Sequence, residues 1–409
     1  MSLQPRVLLC CEHYPPSVGG VQEVMRQIAE RLAADGVDVT VATSTHSERP
    51  TDTVRNGVRV VSFAVTGNWT KSIKGPIEEY RSFLRQGDFD AILIKAAQQW
   101  TFDAAVKVIP ELRGRKLFIP CGFSELHNPN YANYFKQMPE WLRLFDGLIF
   151  YANDYQDIAF ARKNNLSTIH LIPNGVDERE FLTTNDNKIR ERLGIDPEHN
   201  LILTVGSKVI SKGHWEIIQA FAAMKTQQST TLVINANEPK SPFSRQAARQ
   251  IKNIINGKWP LSWIATLINR QRGRKRVLIV DLPRKDLVDL YKSANLFVLA
   301  SHVEYSPLVL FEANAAGTPF LSSPAGNSVE ICGWTKGGKV IHAASQQATI
   351  LKVPDLAIEL ERAMDDTSQL KQIGEAGRFA IFNKGFTWAE ITKTYHNLLL
   401  PEGNKNPSG

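Results

Sequence analysis

Two glutamates, Glu304 and Glu312, are separated by seven residues in a segment that resembles the end of a strand followed by a helix. Ser306 is a good helix N-cap and Pro307 suits the first helical position, so a helix is predicted to begin here. Its free amides would face the ligand-binding edge of a doubly wound sheet, where both glutamates could accept hydrogen bonds from ligand hydroxyls. The alternative is an ordinary capped helix with two solvated acids, and the spacing alone favours neither interpretation.

A second segment, Gly206–Gly213, follows a predicted strand and contains Ser207, Lys208 and Lys212. Two lysines on a glycine-bounded loop before a helix could surround a diphosphate, and glycine allows close approach of the backbone. The loop does not match the Walker phosphate-binding motif, so by itself it is more typical of a solvated surface turn. The pair Gly19-Gly20 near the start could likewise admit a phosphate or sugar, although simple loop geometry explains it equally well.

These residues need strands and helices to position them, and the sequence predicts the same strand–loop–helix–strand unit twice. The first copy is a strand at 6–11, a helix at 21–34 and a strand at 37–42. The second is a strand at 201–205, a helix at 214–224 and a strand at 230–235. We therefore predict an α/β protein with two doubly wound domains, not one long sheet.

The remaining strands and helices follow the same pattern. Apolar runs predict further strands in the first domain at 91–94, 116–119, 147–151 and 168–172. The second domain gains strands at 277–280 and 296–299, with a helix at 285–294 between them. Three helices are predicted near the end, at 354–366, 368–383 and 388–400.

Composition excludes several classes of protein. The chain has 409 residues, of which 43% are hydrophobic and 22% charged, values typical of a folded globular protein with two or three domains. Its four cysteines have neither metal-ligand spacing nor the pattern of a disulfide scaffold. No stretch of the sequence is long and apolar enough to span a membrane or act as a signal peptide, so a cytoplasmic location is expected.

The positive charge is concentrated in residues 240–276, a segment resembling an insertion. It contains ten Lys and Arg and no Asp or Glu, although the whole chain has a net charge of only +7. Apolar residues, including Trp259, Trp263 and Leu267, are interspersed with these cations. This composition suits a peripheral contact with an anionic membrane surface, and a solvated insertion whose apolar residues pack on the domain is an equally good interpretation.

Five motifs in the expected order give the chain a close resemblance to the family 4 glycosyltransferases, the retaining "glycosyl transferases group 1". They are Pro16 with Gly19-Gly20, Pro173-Asn174-Gly175-Val176-Asp177, Lys212-Gly213, Glu304 with Glu312, and Phe386-Thr387-Trp388. The resemblance covers nearly the whole chain. It implies the GT-B fold, in which two Rossmann-like domains face each other across a cleft. The expected domains are 1–173, joined by a C-terminal helix at 386–401, and 174–385, with the basic insertion.

The resemblance also implies roles for particular residues. Glu304 and Lys212 would be catalytic, with Glu304 at the sugar and Lys212 at the diphosphate, while Glu312 would hold the ribose of a nucleotide-sugar donor. Further donor contacts are expected from Gly19, Gly20, Ser207, Lys208, Ser306, Leu308 and Val309. Because Pro307 has no N–H group, backbone contacts to phosphate would come from Leu308 and Val309. No cofactor and no obligatory metal are expected.

This chain departs from the family pattern at three places. Ser207 occupies the usual position of a second cation, which here lies one residue later at Lys208. Tyr305-Ser306-Pro307 replaces a common Gly-Phe-Gly, and Cys121 replaces a histidine on the acceptor side, for which His127 is a candidate substitute.

The function that the resemblance implies is sugar transfer to a glycan or lipid-linked acceptor, in cell-surface polysaccharide, lipopolysaccharide or glycolipid synthesis. A catalytically silent relative that binds nucleotide or glycan is the alternative. A nucleic-acid partner is not expected, because the basic segment has no recognised binding motif.

Overall fold

The computed structural model describes residues 4–183, 188–238, 258–271, 273–341 and 349–401. The chain divides into two compact units. Unit 1 comprises Met1–Asn174 and Trp388–Gly409, and unit 2 comprises Gly175–Thr387. In the described part of the chain, no helix is long and apolar enough to cross a membrane.

Unit 1 is built on an eight-stranded sheet with the strand order β3-β4-β2-β1-β5-β6-β7-β8. Its strands are β1 (Arg6–Cys10), β2 (Asp38–Ser44), β3 (Asp52–Arg55), β4 (Val58–Phe63), β5 (Ala91–Lys95), β6 (Arg115–Ile119), β7 (Gly147–Phe150) and β8 (Ile169–Leu171). Neighbouring strands pair in parallel except β3 with β4. The central strands are buried on both faces, as parallel strands covered by helices must be.

The antiparallel pair at the sheet edge was not anticipated from the sequence. Asn56 and Gly57 join β3 to β4, and both have positive φ angles, 49° and 79°. Two such residues form the tight turn that matches the twist of a hairpin, and Asn-Gly is its most favoured sequence. This dipeptide was the signal that could have predicted the hairpin.

Helices cover the sheet of unit 1. They are α1 (Gly20–Ala34), α2 (Ile77–Gln86), α3 (Trp100–Ala105), α4 (Ala132–Leu142), α5 (Gln156–Lys163) and, from the C-terminal part of the chain, α15 (Trp388–Leu399). The predicted helix at 21–34 is confirmed as α1, and Val24, Ile28 and Leu32, which recur at helical spacing, are buried. Helix α15 packs against α1 and buries Trp388 and Tyr395.

Unit 2 has a six-stranded parallel sheet with the order β11-β10-β9-β12-β13-β14. Its strands are β9 (Asn200–Val205), β10 (Thr230–Asn235), β11 (Lys275–Val280), β12 (Leu296–Leu299), β13 (Phe320–Ser322) and β14 (Gly338–Val340). The four predicted strands are confirmed to within two residues at each end. The last two strands, of three residues each, were not predicted because so short a run has no readable period.

The described helices of unit 2 include those predicted from the periodicity. They are α6 (Glu178–Phe181), α7 (Lys188–Arg192), α8 (His214–Ala223), α9 (Leu261–Arg270), α10 (Arg284–Ser293), α11 (Leu308–Ala315), α12 (Ser328–Thr335), α13 (Val353–Asp365) and α14 (Thr367–Asn383). Two of the sequence motifs, at 173–177 and 386–388, meet within this unit. The Val176 N–H donates to the Phe386 carbonyl oxygen at 3.1 Å.

The strand order of each sheet reverses direction at one point, which determines where a ligand can bind. The reversal lies between β1 and β5 in unit 1 and between β9 and β12 in unit 2. In doubly wound sheets, loops diverge at such a point and leave a crevice at the carboxyl ends of the two strands. In unit 2 those loops are the ones that carry Lys212 and Glu304.

Gly213 fixes how closely these two loops of unit 2 approach each other. Its φ angle is +70°, a left-handed conformation, and a Cβ atom there would lie 2.0 Å from the Ala300 carbonyl oxygen. Any side chain would therefore force the loop away from the end of β12.

We expect Gly213→Ala to destabilise unit 2 far more than Gly385→Ala. Gly385 also has a positive φ, +83°, but a Cβ atom there meets nothing within 4 Å. The control should cost about 1–2 kcal/mol for backbone conformation, or a melting shift of about 2–8 °C. Gly213→Ala adds the steric clash and should at least double that shift in calorimetry. Equal shifts would show that the Ala300 contact is easily relaxed.

Candidate functional site

The loop after β9 forms a short turn against the end of β12. Residues Ile210–Lys212 form one turn of 3-10 helix, which Gly213 ends before α8 begins at His214. The His302 N–H donates to the Ser211 carbonyl oxygen at 2.8 Å. This bond and the tight approach of Gly213 lock the two loops together, so that their side chains have a fixed relation.

Lys212 and Glu304, the two residues predicted to be catalytic, meet directly. The Lys212 Nζ lies 2.6 Å from the Glu304 Oε1, within hydrogen-bonding distance. The two side chains are 30% and 14% exposed, so the pair is partly desolvated but remains open to solvent from one side. A charge-assisted bond of this kind is stronger than a neutral one and orients both groups at the strand ends.

His214 sits behind the lysine loop and is fully buried. Burial lowers the pKa of its imidazole to about 4, outweighing hydrogen bonding to the Gly206 and Ser207 backbone. The Nε2 atom is 3.4 Å from the Gly206 carbonyl oxygen. His214 is therefore neutral at pH 7 and adds no charge to the site.

Helix α11 begins one residue later than the sequence suggested. Pro307, not Ser306, occupies the N-cap position, with φ −71° and ψ 110°, and the first helical residue is Leu308. The predicted role of Ser306 as N-cap was therefore wrong, because the fixed φ of proline is also compatible with the extended backbone of a cap position. Leu308 and Val309 occupy the first turn of the helix, where amide groups lack intrahelical acceptors.

The segment before α11 is held from its other side by the turn at Gly326. The Asn327 N–H donates to the Tyr305 carbonyl oxygen at 2.9 Å. A Cβ atom on Gly326 would lie 2.5 Å from that same oxygen, and its φ is +61°. Tyr305 is thus fixed between two elements of unit 2, which keeps Glu304 in place.

Glu312 lies on α11 and has an arginine partner that sequence reasoning did not identify. The Arg284 Nη1 contacts the Glu312 Oε1 at 2.7 Å, and the Arg284 Nη2 contacts the Glu180 Oε2 at 2.6 Å. Burial disfavours the charged guanidinium, yet Glu312 and Glu180 outweigh it and raise the pKa of Arg284. Burial, together with Glu312, also raises the pKa of Tyr291. No sequence pattern pointed to Arg284, the first residue of α10.

Lys208 and Lys212, expected to act on one ligand, point to different carboxylates. The Lys208 Nζ pairs with the Glu238 Oε1 at 2.6 Å, away from Glu304. Ser207 contributes its carbonyl oxygen to the turn, accepting from the Val209 N–H at 2.8 Å. The structure therefore brings together Lys212 and Glu304 but not Lys208.

In unit 1 the paired glycines open α1. Gly19 is in the N-cap position and Gly20 is the first residue of the helix. The atoms nearest to a Cβ atom on Gly19 would be the end of the Gln22 side chain, at 2.6 Å, which is flexible and can move aside. The position of the turn agrees with the predicted boundary of the helix.

The acceptor-side candidates Cys121 and His127 follow β6. Cys121 has a φ angle of +63°, and burial raises the pKa of its thiol. The next N–H, on Gly122, donates to the buried Asp157 Oδ2 at 2.9 Å, while the His127 side chain is exposed. The structure gives Cys121 a constrained position, and in the described part of the chain it shows no hydrogen bond between Cys121 and His127.

A buried cation in unit 1 was missed altogether. Lys95 ends β5 and is 1% exposed, and its Nζ donates to the Tyr151 hydroxyl at 2.7 Å. Burial lowers the pKa of Lys95 to about 8, although nearby Cys121 and Cys11 oppose this. Its position after four apolar residues made it look like the polar end of a strand.

Among the residues that the structure describes, no group of three or more His, Cys, Asp or Glu side chains could hold a metal ion. Of the basic segment, Lys240, Arg245, Arg249, Lys252 and Arg272 lie outside the described residues. Its described cations include Lys258, which pairs with Glu216 of α8.

Comparison with protein families gives two matches that together take in most of the chain. The family "Glycosyltransferase Family 4" matches residues 18–180, and the family "Glycosyl transferases group 1" matches residues 185–378. The first match covers residues 18–174 of unit 1 and the first six residues of unit 2. The second match lies within unit 2.

Individual relatives are distant. The chain is 27% identical over 175 residues to mannosylfructose-phosphate synthase of Agrobacterium fabrum, covering 40% of this chain and 33% of the relative. It is 20% identical to lipopolysaccharide 1,2-N-acetylglucosaminetransferase of Salmonella typhimurium, covering 61% of both. The matches to these curated relatives thus span between one third and about three fifths of their length.

Solved structures with the same fold cover nearly the whole chain. Sucrose-phosphate synthase of Thermosynechococcus elongatus has a TM-score of 0.74 at 19% identity, covering 97% of this chain and 98% of that one. Anabaena HepE in complex with UDP has a TM-score of 0.71 at 18% identity, covering 97% and 99%. These likenesses confirm the predicted α/β fold class with two doubly wound, Rossmann-like domains of the GT-B type. On the two family matches, the chain belongs to the group 1, family 4 glycosyltransferases.

Proposed function

We propose that this protein is a retaining glycosyltransferase that moves a sugar from a nucleoside-diphosphate sugar to a glycan or lipid-linked acceptor. The observation that carries the proposal is the contact between Lys212 and Glu304 at the point where the strand order of unit 2 reverses. The second glutamate of the motif, Glu312, lies on the helix that follows. Membership of the family and the names of the relatives support sugar transfer as the reaction class.

In this proposal Lys212 binds the diphosphate of the donor. As the bond between the anomeric carbon and the diphosphate breaks, negative charge develops on the departing phosphate. A fixed ammonium group stabilises that charge without reorganisation during the reaction. The Glu304 carboxylate, 2.6 Å from the ammonium, occupies the position of an anion partner in the absence of a donor. Phosphate takes over Lys212 when the donor binds, and Glu304 is then available to the sugar ring.

Glu312 serves as the acceptor for the ribose hydroxyls. Arg284 holds one of its oxygens, Oε1, at 2.7 Å, and a carboxylate has a second oxygen and further lone pairs for ligand hydroxyls. The pairing with Arg284 also offsets the cost of burying the Glu312 carboxylate, which is only 9% exposed. Ser306 and the amides of Leu308 and Val309 add donors for phosphate at the positive end of α11.

The remaining predicted contacts belong to the same hypothesis. Gly19 and Gly20 offer a turn where a ligand can approach the backbone, and Ser207 and Lys208 lie on the diphosphate loop. Cys121 and His127 are acceptor-side candidates. We further propose that transfer needs no bound metal, because Lys212 and the start of α11 supply the positive charge that the leaving group requires.

The donor base and the pathway are narrower proposals. HepE of Anabaena is described in complex with UDP, which makes uridine diphosphate the first nucleotide to test. The Salmonella relative acts on lipopolysaccharide by its name, which supports an acceptor in cell-surface polysaccharide or glycolipid synthesis. Such an acceptor would suit a cytoplasmic protein at the inner face of a membrane.

A thermal-shift panel of UDP, GDP, ADP, dTDP and CDP tests donor binding, first with a chelator and then with Mg²⁺. One nucleotide should raise the melting temperature regardless of chelator, because saturation at 100 times the dissociation constant adds about 2.7 kcal/mol. Glu312→Gln should abolish the shift. Glu180→Gln removes the other partner of Arg284 and should preserve it. No shift with any nucleotide would favour a silent relative, and a shift only with Mg²⁺ would contradict metal-free binding.

Turnover of the identified donor tests the role of Lys212. Lys212→Ala should lose about 10²–10³ in kcat, the usual cost of removing one donor that stabilises developing charge. Lys339→Ala is the control, because it removes an exposed lysine of unit 2 that pairs with Glu359 and belongs to no proposed site, and it should keep near-normal turnover. Near-normal turnover by a folded Lys212→Ala protein would refute the assignment.

Peripheral membrane contact is proposed for the basic segment on the evidence of α9. Leu261 and Ile268 are buried in unit 2, as the packed-insertion interpretation requires. On the opposite side, Trp259, Trp263 and Leu267 are 52%, 60% and 61% exposed. Trp263 and Leu267 are four positions apart on the helix, and the Trp259 ring, just before the helix, stacks on Trp263 with a centroid distance of 5.9 Å. These three residues form one apolar stripe suited to the interfacial layer of a membrane.

Co-sedimentation with vesicles of phosphatidylglycerol and phosphatidylcholine tests this surface. Binding should increase with the anionic lipid, fall with salt and decrease at least tenfold in Trp259→Ser/Trp263→Ser, because both charge and apolar insertion contribute. Phe379→Ser, which removes another exposed aromatic residue in unit 2, serves as control. Salt-insensitive or absent binding would leave the packed insertion as the correct interpretation.

A further inference from the structure

Unit 1 has a cavity of about 680 Å³ far along the chain from the predicted donor residues, lined by Trp69, Asn133, Lys136, Gln137, Glu140 and Trp141. We call it the Trp69 groove. Four of its polar residues share one face of α4, where they recur at helical spacing. Its volume lies within the roughly 300–1,000 Å³ typical of small-molecule sites.

The loop that carries Trp69 is held from beneath by a buried carboxylate. Asp103 is 1% exposed, and its Oδ2 accepts from the Trp69 backbone N–H at 2.7 Å. Its Oδ1 accepts from the Tyr134 hydroxyl, on α4, at 2.6 Å. One side chain thus fixes the Trp69 loop relative to the helix that forms the other wall of the groove. The site is assembled before any ligand arrives, which reduces the entropic cost of binding.

A neighbouring amide reinforces the same arrangement. The Asn68 Nδ2 donates to the Tyr131 hydroxyl and to the Gln98 carbonyl oxygen, each at 3.1 Å. The Asn68 Oδ1 accepts from the Lys71 N–H at 2.8 Å. These bonds use both donor hydrogens and the oxygen of a largely buried amide to set one loop conformation.

The lining combines two kinds of surface. The Trp69 and Trp141 rings lie 5.2 Å apart at an interplanar angle of 59°, and Trp69 is 38% exposed. Amide and charged side chains of α4 surround them. A sugar ring also combines apolar and polar surface, with C–H groups on its faces and hydroxyl groups around its rim. Large aromatic rings bury the apolar faces, while amides and carboxylates bind the hydroxyls.

The charge of the groove argues against an anionic membrane as its occupant. Lys136 is offset by Glu140 in the lining, and Lys107 lies over the Trp69 ring at 5.8 Å from its centroid. A surface selected for anionic lipid headgroups would carry clustered cations and no carboxylate. The polar groups here are instead varied in type, as recognition of hydroxyl groups requires.

We propose that the Trp69 groove binds a short oligosaccharide stretch of the acceptor glycan, away from its reacting end. That this glycan is the acceptor rests on the proposed function. Binding of a saccharide to the groove can be measured without any sugar transfer. The groove would thereby favour longer acceptors over single sugars.

A printed array of bacterial and plant oligosaccharides provides the first test, with the full chain as probe. We expect binding to at least one glycan of three or more sugars, weakened at least tenfold by Trp69→Ala and largely retained by Trp69→Tyr. Gln137→Ala, an exposed change on α4, should also weaken it and covers the case in which Trp69→Ala fails to fold. Trp263→Ala removes an exposed tryptophan of unit 2 and should have no effect.

The outcomes separate the two proposals. If Lys212→Ala abolishes transfer but not array binding, the groove and the donor site are distinct. If wild-type protein binds glycans and transfers no sugar, the groove survives and the proposed function fails. No binding to any glycan, or binding lost equally in Trp263→Ala, overturns the groove. Loss in Trp69→Ala of binding to phosphatidylglycerol vesicles, without glycan binding, would assign the surface to a membrane and also overturn it.

For an active enzyme, transfer kinetics add a second test. Trp69→Ala should raise KM for a long acceptor several-fold and leave KM for a one-sugar acceptor and kcat unchanged, because in this proposal the groove binds sugars other than the one that reacts. Equal changes for both acceptors would contradict a site remote from the reaction.

Discussion

The contact of Gly213 with the Ala300 carbonyl oxygen is the constraint on which the arrangement of the unit 2 site depends. A backbone without a side chain allows the turn after β9 to lie directly against the end of β12. The Ser211 carbonyl can then accept from the His302 N–H, and Lys212 can reach Glu304. Two loops that the sheet merely brings to the same edge thereby become one rigid unit.

The charged side chains of the unit 2 site pair with opposite charges of the same unit. Lys212 is paired with Glu304, Lys208 with Glu238, and Arg284 with both Glu312 and Glu180. Partly buried charges need such partners, because desolvation of an isolated ion is costly. An anionic ligand therefore has to replace a carboxylate and not simply fill a gap. Its binding energy is the difference between two ion pairs, which favours ligands that make several contacts at once.

The sequence predicted the fold well because long apolar runs and helical periods are local signals. It also identified Lys212 and Glu304, which the structure brings together although they lie 92 positions apart. It could not show which carboxylate each lysine contacts, since that depends on loop paths set by distant packing. Arg284 gave no signal because the first residue of a surface helix is often charged. The N-cap at Pro307 was missed by one position because Ser306 and Pro307 both suit a helix start.

Helix α15 completes unit 1 from the far end of the chain. It packs on α1. Its Tyr395 side chain is buried next to Tyr151. All of unit 2 lies between α1 and α15 in the sequence. During synthesis, therefore, the first unit leaves the ribosome with one side of α1 uncovered and acquires its last helix only after the second has been translated. Unit 1 therefore cannot reach its final packing before nearly the whole chain has been synthesised.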